Sequence, residues 1–149
     1  MAAERLLVLD ANILIRAVLG RRVRQIITAH AEMASFFAPD VAYDDASTYL
    51  PTLLAKRHLD DVATSAALDF LEALRGTVHP VPQDAYEPHR AAALSRIQSR
   101  DPDDWPILAT ALALDSPIWT EDQDFFGAGV PTWTTDRVEL YLSAGGQSG

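Results

Sequence analysis

Leu6-Leu7-Val8-Leu9-Asp10-Ala11-Asn12 is the stretch whose reading decides the fold. Four apolar residues, an aspartate, and then the helix-like run Ile13–Leu19 describe a buried strand feeding a helix. A strand that is apolar at every position is covered on both faces, as the strands of parallel sheets are. An aspartate at its carboxyl end lies at the rim where open α/β sheets place their ligands. The plainer alternative is that Asp10 or Asn12 only caps the helix, a task that suits both residue types.

Outward from that stretch the chain alternates. Helical spacing runs from about Val23 to Ala34, and Ser35-Phe36-Phe37-Ala38-Pro39 follows as a second strand. From Asp40 to Leu59 the spacing is helical again, with Val41, Asp45 and Tyr49 on one side, and Pro51 is expected to kink or divide this span. Asp60 or Asp61 caps the next helix, which ends at Gly76. Thr77–Pro82 reads as a short strand whose prolines fit a sheet edge. A helix over about Asp84 to Gln98 precedes Asp101-Pro102-Asp103-Asp104, and another covers Trp105 to Leu114. Ser116–Thr120 is a strand that runs into Glu121-Asp122-Gln123-Asp124, and Val130–Thr134 is a last short strand before a helix from Asp136. Alternating strands and helices imply one α/β domain, residues 1–143, with a central parallel sheet flanked by helices on both faces. Residues 144–149 read as a flexible tail.

Composition narrows the chemistry. The chain has 149 residues and a formal charge of -9, with 15 Asp against 6 Glu. That excess of Asp favours caps, turns and ligands for hard cations over a merely solvated surface. There is no Cys, which removes disulfides and thiolate metal sites. Nothing resembles a signal peptide or a membrane span, so the expected compartment is the cytoplasm. The acidity argues against broad nucleic-acid binding, although not against a nucleic-acid enzyme that collects divalent metal. The basic cluster Arg21, Arg22 and Arg24 reads either as a solvated face or as a phosphate contact.

Carboxylates recur at four separated places: Asp10, Asp44 or Asp45, the Asp101/Asp103/Asp104 cluster, and Asp122 with Asp124. Each alone has a structural explanation as a cap, a turn or a surface residue. Gathered at one rim they repel one another unless a cation holds them, and an all-oxygen site suits Mg²⁺ or Mn²⁺ rather than zinc.

Three motifs then resemble the PIN domain family, which includes the VapC-type ribonuclease toxins. Leu7-Val8-Leu9-Asp10-Ala11-Asn12 is similar to its first motif, an acid followed two places later by a polar residue. Asp104 with Trp-Pro-Ile-Leu-Ala-Thr-Ala-Leu is similar to the third acid and its helix, and Trp119-Thr120-Glu121-Asp122 to the fourth motif. The second acid departs from the pattern. The family usually has a glutamate there, and here matching the following leucine to Leu50 selects Asp45 over Asp44.

The resemblance implies an endoribonuclease that hydrolyses RNA phosphodiester bonds with Mg²⁺ or Mn²⁺, as the toxin of a type II toxin–antitoxin pair. Carboxylates hold cations that offset charge developing on the phosphate. Asp10, Asp104, Asp122 and Asp45 are the implied catalytic metal ligands, and Asn12 and Thr120 orient ligands or water. Asp103 and Asp124 are reserve acids, and Arg16, one turn beyond Asn12, is a candidate phosphate contact. A small cognate antitoxin and a second copy of the chain, as a homodimer, are the implied partners.

Other strand-end aspartate enzymes fit poorly. The haloacid-dehalogenase phosphatases need an aspartate where Asn12 stands, and both they and the response-regulator receivers need a late lysine, whereas the single lysine is Lys56. The stronger alternative is a PIN-like module that binds RNA or assembles without nuclease activity, for which the Asp at position 45 is the argument.

Overall fold

The computed structural model describes residues 4–97 and 100–144, so residues 145–149 of the expected tail lie outside it. The chain runs β1 (Arg5–Leu9), α1 (Ala11–Leu19), α2 (Arg22–His30), β2 (Ala34–Pro39), α3 (Asp40–Lys56), α4 (Asp61–Leu74) and β3 (Val78–Val81). It continues through α5 (Gln83–Tyr86), α6 (Arg90–Ile97), α7 (Trp105–Leu114), β4 (Ile118–Trp119), β5 (Thr132–Trp133) and α8 (Val138–Ala144). Single turns of 3₁₀ helix lie at Glu87–His89, Pro102–Asp104 and Gln123–Phe125.

All strand pairings are parallel and the order is β3-β2-β1-β4-β5. The chain therefore builds outward from β1 through β2 to β3, then returns to lay β4 on the other side of β1. That reversal makes the β1/β4 boundary the switch point of the sheet, where ligand clefts form beyond the strand ends. Val8 pairs with Ile118 and Leu9 with Trp119, so the residues after each strand leave the sheet side by side.

Leu7, Val8 and Leu9 have no exposed surface, as a strand covered on both faces requires. Helices α1–α4 pack together as one group and α5–α7 as another, with α7 against β1, β2 and β4. That position explains why α7 is apolar nearly all round: Leu108, Ala109 and Ala111 are buried between sheet and α6. Pro106 stands in its first turn, where a missing N–H costs nothing, and Asp115 ends it in the left-handed conformation. The edge placement expected for the prolines near residue 80 holds, since β3 is an outer strand.

Of the places where the elements differ from the sequence expectation, three are instructive. Pro51 neither divides nor ends α3, which continues through it to Lys56. The carbonyl left without an N–H donor is that of Ser47, on the exposed side of the helix, where water can reach it. The helix expected over residues 84–98 is instead α5, a 3₁₀ turn and α6, because Pro88 interrupts the ladder, and residue 98 lies outside the described residues. Finally, α2 stops at His30 and Ala34 belongs to β2.

Candidate metal centre

Asp10 follows directly on β1 and is buried, with only 6% of its surface exposed. Its Oδ1 accepts from the Ile13 N–H at 3.0 Å, so it does cap α1. Its other oxygen accepts from the Thr120 hydroxyl, which stands at the end of β4. Thr120 in turn accepts from the Asp122 N–H at 2.9 Å, and Asp122 Oδ1 accepts from the Asp124 N–H at 2.9 Å. One chain of hydrogen bonds thus ties the acids that leave the two neighbouring strands. Asp10 both caps α1 and stands at the rim beyond the strand ends, two placements that do not exclude each other.

These residues open into a cleft of about 580 Å³. Asp10, Asn12, Asp45, Asp103, Asp104 and Asp122 all line it, so the structure brings most of the nominated residues to one place. Asp45 lines the cleft with Tyr49 one turn on, while Asp44 does not, as a helical offset of about 100° between neighbours requires. Asp45 is otherwise exposed; burial first, then Asp44, raises its carboxyl above the usual range. Asp124 is not part of that lining. Arg16 is exposed and lines a shallower groove beside the cleft with Asn12, Glu121 and Asp122.

Asp104 is the outlier in energy. It is half-buried at the end of the 3₁₀ turn that leads into α7, and its Oδ2 is shielded from water with no hydrogen-bond partner. Burial, then Asp101, Asp122, Asp10 and Asp124, push its carboxyl up to about 7. Asp10 is pushed up to about 6 by burial, which outweighs the opposing hydrogen bonds from Thr120 and Ile13; Asp122 and Glu121 add to the rise. A carboxylate buried without a donor, facing others of the same sign, is costly unless a cation arrives.

The tightest group of acids is not the one the sequence put first. Asp101, Asp104 and Asp124 each offer an oxygen within 4.8 Å of the others. Asp101 was nominated only as part of its cluster, and Asp103, its neighbour, was preferred as the reserve acid. Asp101 Oδ1 accepts from the Asp103 N–H at 3.0 Å, which holds the Asp101 carboxylate against the start of the turn. An Asp-Pro-Asp turn is the one signal that marked it. Sequence reasoning also passed over the aromatic side of the cleft. Tyr86 and Trp105 line it with ring centroids 5.6 Å apart, and the Arg90 guanidinium lies 4.6 Å over Trp105. The Tyr86 hydroxyl donates to Asp40 Oδ1 at 2.7 Å across 46 residues of chain, a contact with no local signature.

The residues fit hard divalent cations: every acidic donor is an oxygen, none is Cys, and one is a buried oxygen with no other partner.

The family model of the PIN domain matches residues 8–143, and the chain belongs to that family. Its fold is that of VapBC2 from Rickettsia felis, solved bound to a DNA fragment from their promoter: TM-score 0.68 at 9% identity, covering 87% of this chain and 98% of that one. PAE2754 from Pyrobaculum aerophilum aligns with a TM-score of 0.69 at 15% identity over 97% of this chain and 99% of its own. FitAcB from Neisseria gonorrhoeae gives 0.66 at 19% identity over 87% and 97%. No curated protein sequence matches the chain. Among the described residues no helix is long and apolar enough to cross a membrane.

Proposed function

We propose that this protein is a Mg²⁺- or Mn²⁺-dependent endoribonuclease that hydrolyses phosphodiester bonds in single-stranded RNA, acting as the toxin of a toxin–antitoxin pair. The observation that carries the reading is Asp104: a carboxylate oxygen without a donor, shielded from water, in a cleft lined by five further acids, Asp10, Asp45, Asp101, Asp103 and Asp122. PIN domains are generally nucleases, which supports the reaction class. The likeness to VapBC2 supports an antitoxin as partner.

Asp104, Asp10 and Asp122 would hold the cation, with Asp101, Asp124 and Asp45 completing the oxygen set. When bound, a divalent cation supplies positive charge against the phosphodiester and favours deprotonation of the attacking water. The chain's own residues do the rest. Thr120 and the Ile13 N–H fix the Asp10 carboxylate in one orientation. Asn12, exposed in the first turn of α1, offers an amide to water or substrate at the mouth. Tyr49, 59% exposed on the cleft wall, offers a face to an unstacked base, which suits a single strand better than a duplex.

The test compares wild type and Asp104→Asn for cleavage of single-stranded RNA and for melting temperature, with Mn²⁺ and with chelator. Cleavage and a Mn²⁺-induced rise in melting temperature are expected in wild type and absent in the variant. RNA binding without cleavage in wild type selects the non-enzymatic PIN-like module; cleavage that survives chelation discards the mechanism.

A further inference from the structure

In a chain of net charge -9, where the arginines gather is informative. A second groove of about 300 Å³ lies between α1, the start of α2 and the end of α3. Arg16, Arg21, Arg22 and Arg57 line it above Leu19 and Leu53. Arg22 reaches Glu139 at 3.3 Å, but among the described residues Arg16, Arg21 and Arg57 have no carboxylate within 4.0 Å. Other arginines are engaged: Arg24 donates to the Ala17 and Val18 carbonyls, Arg75 pairs with Glu72, and Arg90 with Glu87. Three exposed guanidiniums thus line one groove with no ion-pair partner among the described residues, although Glu121 and Asp122 share the shallower groove with Arg16. Water and salt screen much of their mutual repulsion, and an anion bound between them would offset the rest.

The groove also connects to the acidic cleft. The shallow groove between them shares Ile15 and Arg16 with the arginine groove, and Asn12 and Asp122 with the cleft. The path follows the exposed side of α1, where Arg16 lies about 6 Å along the axis from Asn12, and Arg21 stands just past the helix end.

We propose that this arginine groove binds backbone phosphates of an RNA strand whose scissile phosphodiester lies in the acidic cleft; the proposal rests on the ribonuclease reading above. A polyanion held only in an acidic cleft is repelled along most of its length. Guanidiniums beside that cleft supply paired donors to phosphate oxygens, and Leu19 and Leu53 supply an apolar floor for sugar and base faces. An acidic peptide would match the arginines alone. Continuity with the cleft favours a ligand that belongs in both, and a carboxylate-rich peptide has no place among the aspartates.

The test measures binding of fluorescently labelled single-stranded RNAs of two and twelve nucleotides to the full chain in Ca²⁺, across a salt series. The expected result is that wild type prefers the longer RNA, and that Arg21→Gln with Arg57→Gln loses that preference, about tenfold in affinity. The slope of log affinity against log salt should fall by about 1.4, at about 0.7 per phosphate contact for a single strand. The Arg21→Lys/Arg57→Lys pair should recover much of the loss, and Arg75→Gln, which lines neither groove, should bind as wild type does. Unchanged affinity and slope in the double glutamine variant overturn the proposal. So does a twelve-residue poly-glutamate peptide that loses binding in that variant while RNA does not. Wild-type cleavage with Mn²⁺, scored separately, decides the ribonuclease reading: arginine-dependent binding without cleavage keeps the groove and removes the enzyme, and cleavage with arginine-independent binding does the reverse.

Discussion

The two sides of the acidic cleft are built differently. On the sheet side, Asp10 has both oxygens occupied, by the Ile13 N–H and the Thr120 hydroxyl, and Asp122 accepts from the Asp124 N–H. On the turn side, Asp104 has an oxygen with no donor at all, and Asp101 and Asp124 bring more negative charge to within 4.8 Å of it. The sheet side is satisfied by the protein and stays in place whether or not a cation is present. The turn side is satisfied only by something added. Burial and like charge raise Asp10 and Asp104 alike, yet donors oppose the rise only at Asp10.

The largest effect that can break this contrast is Asp104→Asn. Cleavage should fall by on the order of 100-fold or more, since a carboxylate that would hold the charge-offsetting cation is lost. Without metal, melting temperature should stay level or rise, because a repelled carboxylate has gone. If the variant retained a wild-type Mn²⁺ shift in calorimetry, Asp104 would not be the residue that awaits the cation.

Thr120→Val tests the other side, with the opposite signature. It removes a donor to a buried carboxylate and an acceptor for the Asp122 N–H, and should cost about 1.5–3 kcal/mol in urea denaturation whether or not metal is present. Because that hydroxyl lowers the Asp10 pKa, its loss should also move the acid limb of the pH–activity profile upward. Equal stability of Thr120→Val and wild type would sink the idea of a pre-tied wall.

The pH dependence sharpens the comparison further. Asp10 at about 6 and Asp104 at about 7 both stand above the ordinary value of 3.8. The folded chain therefore keeps protons that the unfolded chain has released, and the associated stability is present below about pH 4 and lost as pH rises through about 6 and about 7. With chelator, Asp104→Asn should accordingly gain on wild type as pH increases from about 5 to about 8, by on the order of 1 kcal/mol once solvent screening of a half-exposed group is allowed for. A pH-independent gap in melting temperature would assign the Asp104 effect to packing.

The smallest effects concern α3. Asp45→Glu, one methylene longer, should raise cleavage a few-fold if reach limits this acid, and Asp44→Asn, which does not line the cleft, should leave cleavage and the Mn²⁺ shift unchanged. Kinetics that respond to Asp44 and ignore Asp45 would reverse the helix register at the site.

Sequence and structure agree most closely where periodicity reports direction. Leu7–Leu9 and Ile118-Trp119 are apolar because the sheet covers both faces, so the acids that follow them could be placed on one rim in advance. Helical spacing says only that Asp44 and Asp45 point apart; the family resemblance, through Leu50, selects Asp45, and Asp45 is the one that lines the cleft. In the turns periodicity fails. Around Pro102 no period says that Asp101, rather than Asp103, is the one that groups with Asp104 and Asp124. Nor does spacing reveal that Asp124 meets Asp104, or that Tyr86 reaches Asp40, because those contacts depend on how separate elements pack. That α3 is not divided at Pro51 has a related reason: the cost of a proline depends on whether the freed carbonyl faces solvent, and that is a tertiary fact.

The placement of β4 beside β1 has a consequence for the timing of synthesis. Asp10 leaves the ribosome early, but its partner across the strand boundary is translated 110 residues later, when Thr120 is added. At about 5–20 residues per second that is an interval of roughly 5–20 s, during which a growing chain holds β1 with nothing on its β4 side. A nascent or prematurely ended product short of Asp122 lacks one wall of the cleft whatever else it folds. The cleft is thus completed only when the return strand is in place.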